Sequence, residues 1–145
     1  MKKQSVFIEG AISPEFIANA IAKHQSKHTI GGHNIFLGQV RADEIDHKNV
    51  AAIEFTAYED MALEQIAAIR EKAFKTFDLT CMHIYHSLGK VQAGDICFFV
   101  FVSAKHSKEL YAATEYLVNI IKKKVPIFGK EIFEDSSHQW KTNTN

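Results

Sequence analysis

Three short segments carry the side chains best suited to handling anions. The first is Lys122-Lys123-Lys124-Val125-Pro126-Ile127-Phe128-Gly129-Lys130-Glu131. Lysines at a helix C-terminus complement the macrodipole, which is their ordinary role, but helical phase separates these three. Lys122 falls on the line of Tyr111, Val118 and Val125, bordering an apolar face of Leu110, Ala113, Leu117 and Ile121, whereas Lys123 projects among Ala112, Glu115 and Asn119. Lys122 is therefore expected to be a partly desolvated ammonium, the condition that lowers a lysine pKa and suits acid–base work. The second segment, Phe36-Leu37-Gly38-Gln39-Val40-Arg41, ends a strand with a guanidinium fork that matches carboxylate or phosphate. An exposed salt bridge is the ordinary use of such an arginine. The third, Ser103-Ala104-Lys105-His106-Ser107, sets two basic side chains where a strand hands over to a helix start, a place suited to anions. Plain polarity at a helix entry accounts for it equally well.

The eight histidines invite a metal reading. His83-x-x-His86 lies in an expected strand, where side chains three apart point to opposite faces, so the two cannot easily share one ion. His24, His28, His33 and His47 occupy a helix end or loops without second-ligand spacing and read as surface histidines. Cys81 and Cys97 are isolated, with no Cys-x-x-Cys pair, and read as buried reduced thiols. Gly31-Gly32 is a weak signal by itself, since neither a P-loop nor a Gly-x-Gly-x-x-Gly cradle is present. No nucleophile elbow or catalytic-cysteine context accompanies the scattered serines and cysteines, so nucleophilic hydrolase chemistry is not indicated.

The elements that must position these side chains follow from periodicity. Ser5 to Glu9 is a short first strand, and Ser13-Pro14-Glu15 supplies an N-cap, a first-turn proline and an acid for a helix to about Gln25. That helix should rest on a sheet through Phe16, Ile17, Ala20 and Ile21. His33 to Arg41 and Asn49 to Tyr58 read as strands, joined by a flexible polar loop from Ala42 to Lys48. From Glu59 to Phe77 the period becomes helical, with a stripe through Leu63, Ile66, Ala67, Arg70, Ala73, Phe74 and Phe77. Thr80 to Leu88 and Asp95 to Ala104 are strands about a Gly89-to-Gly94 hairpin turn. Ser107 should cap a last long helix ending before Pro126. Ile127 to Phe133 is a final strand, followed by a polar tail carrying Trp140. Hairpins mixed with crossovers indicate α+β, with a mixed, largely antiparallel sheet packed by helices.

A chain of 145 residues with 46% hydrophobic and 23% charged residues is expected to form a single domain, 1–145, without repeats or linkers. Seventeen basic against seventeen acidic residues gives a formal net charge of +0, which removes the global electrostatic case for nucleic-acid binding. Met1-Lys2-Lys3 starts like a signal peptide, but Glu9 and Gly10 cut the apolar stretch too early. The longest apolar run, Ile96 to Val102, is far short of the ~20 residues of a membrane-spanning helix. A soluble, cytoplasmic protein is the expectation.

Taken in order, these segments resemble the large, catalytic subunit of molybdopterin synthase from about Val6 to Trp140. The family's aromatic-x-Gly-x-Val-Arg is met by Phe36, Gly38, Val40 and Arg41, and its Glu-x-Tyr-x-x-Met-Ala segment looks like Ala57-Tyr58-Glu59-Asp60-Met61-Ala62. Its His-Arg-x-Gly turn is similar to His86-Ser87-Leu88-Gly89, with Ser87 replacing arginine. Its Lys-x-x-x-Pro-x-(aromatic) segment, closing on Lys-Glu, is similar to Lys122, Pro126, Phe128, Lys130 and Glu131, with Trp140 downstream. Where the family commonly has Ser-Ala-His-Arg this chain has Ser103-Ala104-Lys105-His106, so the usual arginine is His106. Where a Trp-Lys-Lys/Arg-Glu run is common it has Phe128-Gly129-Lys130-Glu131, so the usual second lysine aligns with Gly129.

The resemblance implies an α/β-hammerhead type of fold and sulfur transfer to cyclic pyranopterin monophosphate, making the dithiolene of molybdopterin. The donor would be a small ubiquitin-like sulfur-carrier subunit bearing a C-terminal Gly-Gly thiocarboxylate. Large subunits would form a central homodimer, and each partner tail would enter a pocket that the second large subunit helps to complete, giving a heterotetramer. Lys122 would serve the thiocarboxylate and proton transfer, Arg41 an oxyanion or phosphate, and Phe36 the pocket wall. Lys105, His106 and Lys130 would replace the missing arginine and second lysine, Lys130 as a further catalytic lysine and the other two toward substrate. No cofactor or metal is implied for this step. The competing reading is a catalytically degenerate or non-enzymatic dimeric module that binds an anion or a pterin.

Overall fold

The computed structural model describes residues 6–141. Its elements are β1 (Phe7–Glu9), α1 (Pro14–His24), β2 (Gly32–Gln39), β3 (Glu44–Ile45), β4 (Lys48–Ala57), α2 (Glu59–Thr76), β5 (Cys81–Gln92), β6 (Ile96–Ala104), α3 (Ser107–Lys124), β7 (Ile127–Phe133) and β8 (His138–Trp140). Eight strands form one sheet, ordered β2-β6-β5-β4-β7-β8, with β1 parallel to β5 and β3 antiparallel to β4. The sheet is thus mixed and largely antiparallel, the α+β class expected. Of the first expected strand, Ser5 lies outside the described residues.

Strand β6 explains why the longest apolar run is a strand. Phe98, Val100 and Val102 join the core beneath α2 and α3, while Phe99 and Phe101 join a second core with Ile12 and Ile17 beneath α1. Both faces are covered, so period-2 polarity disappears. Ser13 caps α1 as anticipated, its hydroxyl accepting the Phe16 N–H at 3.1 Å. Helix α3 buries Leu110, Ala113, Leu117 and Ile121, together with Thr114 and Val118. Its start differs from expectation: Ser107 is the first helical residue, and His106 holds the N-cap position without a side-chain cap bond.

Helix α2 is rotated from the expected stripe, burying Ala62, Ile66, Ile69 and Ala73. Phe74 is left partly exposed beneath the Arg70 guanidinium, 5.8 Å from its ring centroid. Small alanines win the close contact because they let the helix approach the sheet, and Arg70 instead donates to the Met82 carbonyl at 2.6 Å.

Other differences arise from turns and pairing. The polar stretch after Arg41 contains β3, paired to β4 around Asp46 and His47, whose φ values of 51° and 66° suit a tight two-residue hairpin. The β5–β6 turn lies at Ala93–Asp95, not at Gly89–Gly94, because β5 is longer than expected. Cys81–His86 pair with β6 and Gly89–Gln92 pair with β4, so the strand passes from one half of the sheet to the other. Gly89 sits at this passage with φ 82°, a conformation that needs glycine. The polar tail adds β8, hydrogen-bonded to β7. His24 is buried at 8% exposure rather than on the surface. Its Nδ1 donates to the Ala20 carbonyl at 2.7 Å, and its Nε2 lies 2.8 Å from that of His83. Among the described residues no helix is long and apolar enough to cross a membrane.

Candidate functional site

A cavity of about 760 Å³ opens where β2 ends, α3 ends and β4, β7 and β8 meet. Phe36, Arg41 and Lys122, which are far apart in sequence, all line it. Gly38 makes this possible, because a Cβ there would stand 2.9 Å from the Phe98 Cβ. Its absence lets β2 lie close to β6 and sets the Phe36 ring 5.9 Å from that of Phe98. Lys122, on the last turn of α3, holds its Nζ 5.5 Å from the Phe36 ring centroid, an ammonium–aromatic contact. Its side chain is exposed in the single chain, which corrects the expectation of a partly desolvated ammonium. Arg41 stands at the mouth, 74% exposed, with Nε and Nη2 each 3.3 Å from the Asp43 carboxylate. Lys141 adds a third cation to the lining.

Lys130 is not part of this wall. Strand β7 remains regular through this stretch, so Gly129 faces the cavity and Lys130 faces away, with its Nζ 3.1 Å from Glu54 Oε1 across the β4–β7 pair. The expectation that Lys130 serves as a site lysine is therefore corrected by strand alternation. Lys105 and His106 also lie elsewhere. They follow the far end of β6, seven and eight residues beyond Phe98, or roughly 23 Å at ~3.3 Å per residue. Within one chain they cannot complete the cavity.

The inner wall is different in character from the cationic mouth. Glu131 is only 5% exposed, and its Oε1 accepts the Gln139 side-chain N–H at 3.2 Å. His86 is wedged between Phe55 and Phe98, with ring centroids at 5.0 and 5.3 Å. Burial holds its pKa down to about 4, against a smaller opposing effect of its hydrogen bond to the Ser87 carbonyl. His83 meets His24 and Phe101, a neighbourhood separate from that of His86, as opposite faces of one strand require. Cys97 also lines the cavity, but burial pushes its thiol up to about 11, so no appreciable thiolate exists at neutral pH. Both cysteines are free and buried. The arrangement can attract an anion to the mouth and present hydrogen-bond acceptors deeper in.

Residues 11–124 match the family model described as MoaE protein. The chain belongs to the MoaE family. The molybdopterin synthase catalytic subunit of Pyrococcus abyssi is 35% identical over 119 residues, covering 82% of this chain and 79% of that one. Its counterpart from Dictyostelium discoideum is 34% identical over 146 residues, covering 98% and 90%. The crystal structure of molybdopterin synthase from Staphylococcus aureus superposes with a TM-score of 0.81 at 29% identity and covers 99% of both chains. A complex of subunits 1 and 2 of molybdopterin-converting factor from Helicobacter pylori shares the fold, with a TM-score of 0.80 at 20% identity.

In this MoaE protein the cavity residues that sequence reasoning did not single out as site groups include His86, Glu131, Gln139, Lys141 and Cys97. His86 and Glu131 stood inside matched motifs, which was the available signal. Gln139 and Lys141 had none, because their place depends on β8 pairing back along β7. Ser87 is fully buried, and its hydroxyl has no hydrogen-bond partner among the described residues.

Proposed function

We propose that this chain is the catalytic subunit of molybdopterin synthase, transferring sulfur from a small partner's C-terminal thiocarboxylate to cyclic pyranopterin monophosphate. The observation that carries the reading is the convergence of Lys122, Arg41 and Phe36 on one cavity. Precursor phosphate and partner thiocarboxylate are both anions, and bringing them together in a partly dry pocket requires cations placed in advance. The exposed Lys122 and Arg41 become less hydrated when the tail and precursor fill the mouth, which strengthens their attraction for both. A Gly-Gly tail suits such an entrance, since it has no side chains to clash with Phe36. Sulfur arrives on the partner, so the proposal needs neither the Cys97 thiol nor a resident metal.

The same reading gives Lys105 and His106 a place in a second copy of the chain. Their position far along β6 serves a neighbouring pocket in a homodimer, and two small subunits then complete a heterotetramer working in the cytoplasm. Reconstitution tests the proposal: the purified chain, thiocarboxylated small partner and precursor should yield molybdopterin, and mass measurement should find the dimer and the heterotetramer. Binding of precursor without any turnover would instead identify a degenerate pterin-binding relative.

A further inference from the structure

Two facts fix the protonation of His86. Its Nδ1 lies 2.8 Å from the Ser87 carbonyl oxygen, which can only accept, so Nδ1 carries the proton. The remaining nitrogen, Nε2, is then a lone-pair acceptor without a hydrogen bond to any described residue. It is accessible, because the Ser87 hydroxyl is the one fully enclosed polar side-chain atom among the described residues that lacks a partner. The ring lines the cavity while Phe55 and Phe98 close its flanks. An accessible acceptor framed by two aromatic rings is placed to receive a hydrogen bond from a donor that enters the cavity.

We propose that His86 is a substrate-binding residue whose Nε2 accepts a hydrogen bond from an N–H of the pterin ring system. The inference rests on the proposed reaction for the identity of the ligand. A pterin is flat and rich in N–H donors, and the wall around His86 is aromatic, with the Glu131 carboxylate as a second acceptor in the same cavity. Phosphate would be repelled by such acceptors and belongs at the mouth with Arg41 and Lys122. The cavity therefore sorts the two ends of one substrate, anion outward and donor ring inward. Burial also keeps the imidazole neutral across the physiological range, so it serves as an acceptor and not as a cation for phosphate.

The test uses the reconstituted complex with thiocarboxylated partner. His86→Phe keeps the ring's bulk and removes the acceptor, and it should raise the precursor KM by ~10- to 100-fold while changing kcat and partner affinity little. His86→Gln restores an acceptor near the Nε2 position and should recover most of the loss. An unchanged KM in His86→Phe, no rescue by Gln, or a loss of partner affinity in place of precursor affinity would each overturn the proposal. Should His86→Phe fail to fold, nitrogen NMR of the wild-type ring decides. Adding precursor should move the Nε2 resonance in the direction of hydrogen-bond acceptance, and a static resonance at saturating precursor overturns the assignment. A wild-type complex that makes no product would refute the reaction, whereas the NMR titration with precursor reads His86 independently.

Discussion

Acidification from about pH 7.5 to 4.5 should destabilise the fold through two histidines. His86 and His83 are each held down to about 4, mainly by burial, with His24, Arg70 and Lys27 adding repulsion at His83. An unfolded histidine titrates near 6.5. Between those values the unfolded chain binds protons that the folded chain refuses, so the stability these rings contribute is fully present above about pH 6.5 and is lost as pH falls toward 4. For His86 a shift of this size is worth about 3 kcal/mol. His83 is more open to water, which reduces its share to roughly 1–2 kcal/mol. Against a typical domain stability of about 5–15 kcal/mol, the combined loss is large. Asp135 does not confuse the window, because hydrogen bonds from Ser137 hold its carboxylate down to about 2 and its contribution fades only below the usual carboxylate range. Urea unfolding followed by circular dichroism at constant ionic strength should show the midpoint falling steadily below pH 6.5. In His86→Phe the slope should flatten by up to about 1.4 kcal/mol per pH unit, one proton's worth. A wild-type midpoint constant from pH 7 to 5, or an unchanged slope in the variant, would refute the reasoning.

Lys122→Ala should cut product formation by ~10²- to 10³-fold with an unchanged thermal melt, while Lys123→Ala stays near normal in the same turnover assay. Lys130→Ala should leave the precursor KM within about twofold, because its ammonium pairs with Glu54 on the face away from the cavity. Gly129→Lys, which aims a cation inward, should tighten precursor binding if Ile53 and Phe55, 3.0 and 3.4 Å from the new Cβ, give way; calorimetry reads the affinity. Gly38→Ala should cost about 1–3 kcal/mol in urea unfolding, since the added Cβ meets the Phe98 Cβ at 2.9 Å. Mixing Lys105→Ala/His106→Ala chains with Lys122→Ala chains should restore activity in the mixed dimer if the two groups serve pockets across the interface.

The parts legible in the sequence were those governed by local rules. The Ser13-Pro14 start of α1, the apolar face of α3 and the strand character of Ile96 to Val102 follow from capping, helical phase and run length, and each stands in the structure. Lys122, Arg41 and Phe36 are legible as a group through order and spacing along the chain, and the fold sets all three on one cavity. Tertiary structure decided what depends on partners distant in sequence. The phase of α2 followed from which small residues could touch the sheet, and β8 followed from pairing with β7. Lys130 was excluded by alternation along a regular strand, a rule that sequence supplies only once the strand is known to be free of a bulge. His24 became a core residue because His83 supplies its hydrogen bond from 59 positions away. The neutral state of the His86 ring likewise depends on burial against two phenyl rings from other strands, whereas its tautomer is set by the carbonyl of the next residue. Composition and periodicity report what a residue prefers, whereas the protonation, exposure and aim of a side chain are set by neighbours that only the folded chain brings together.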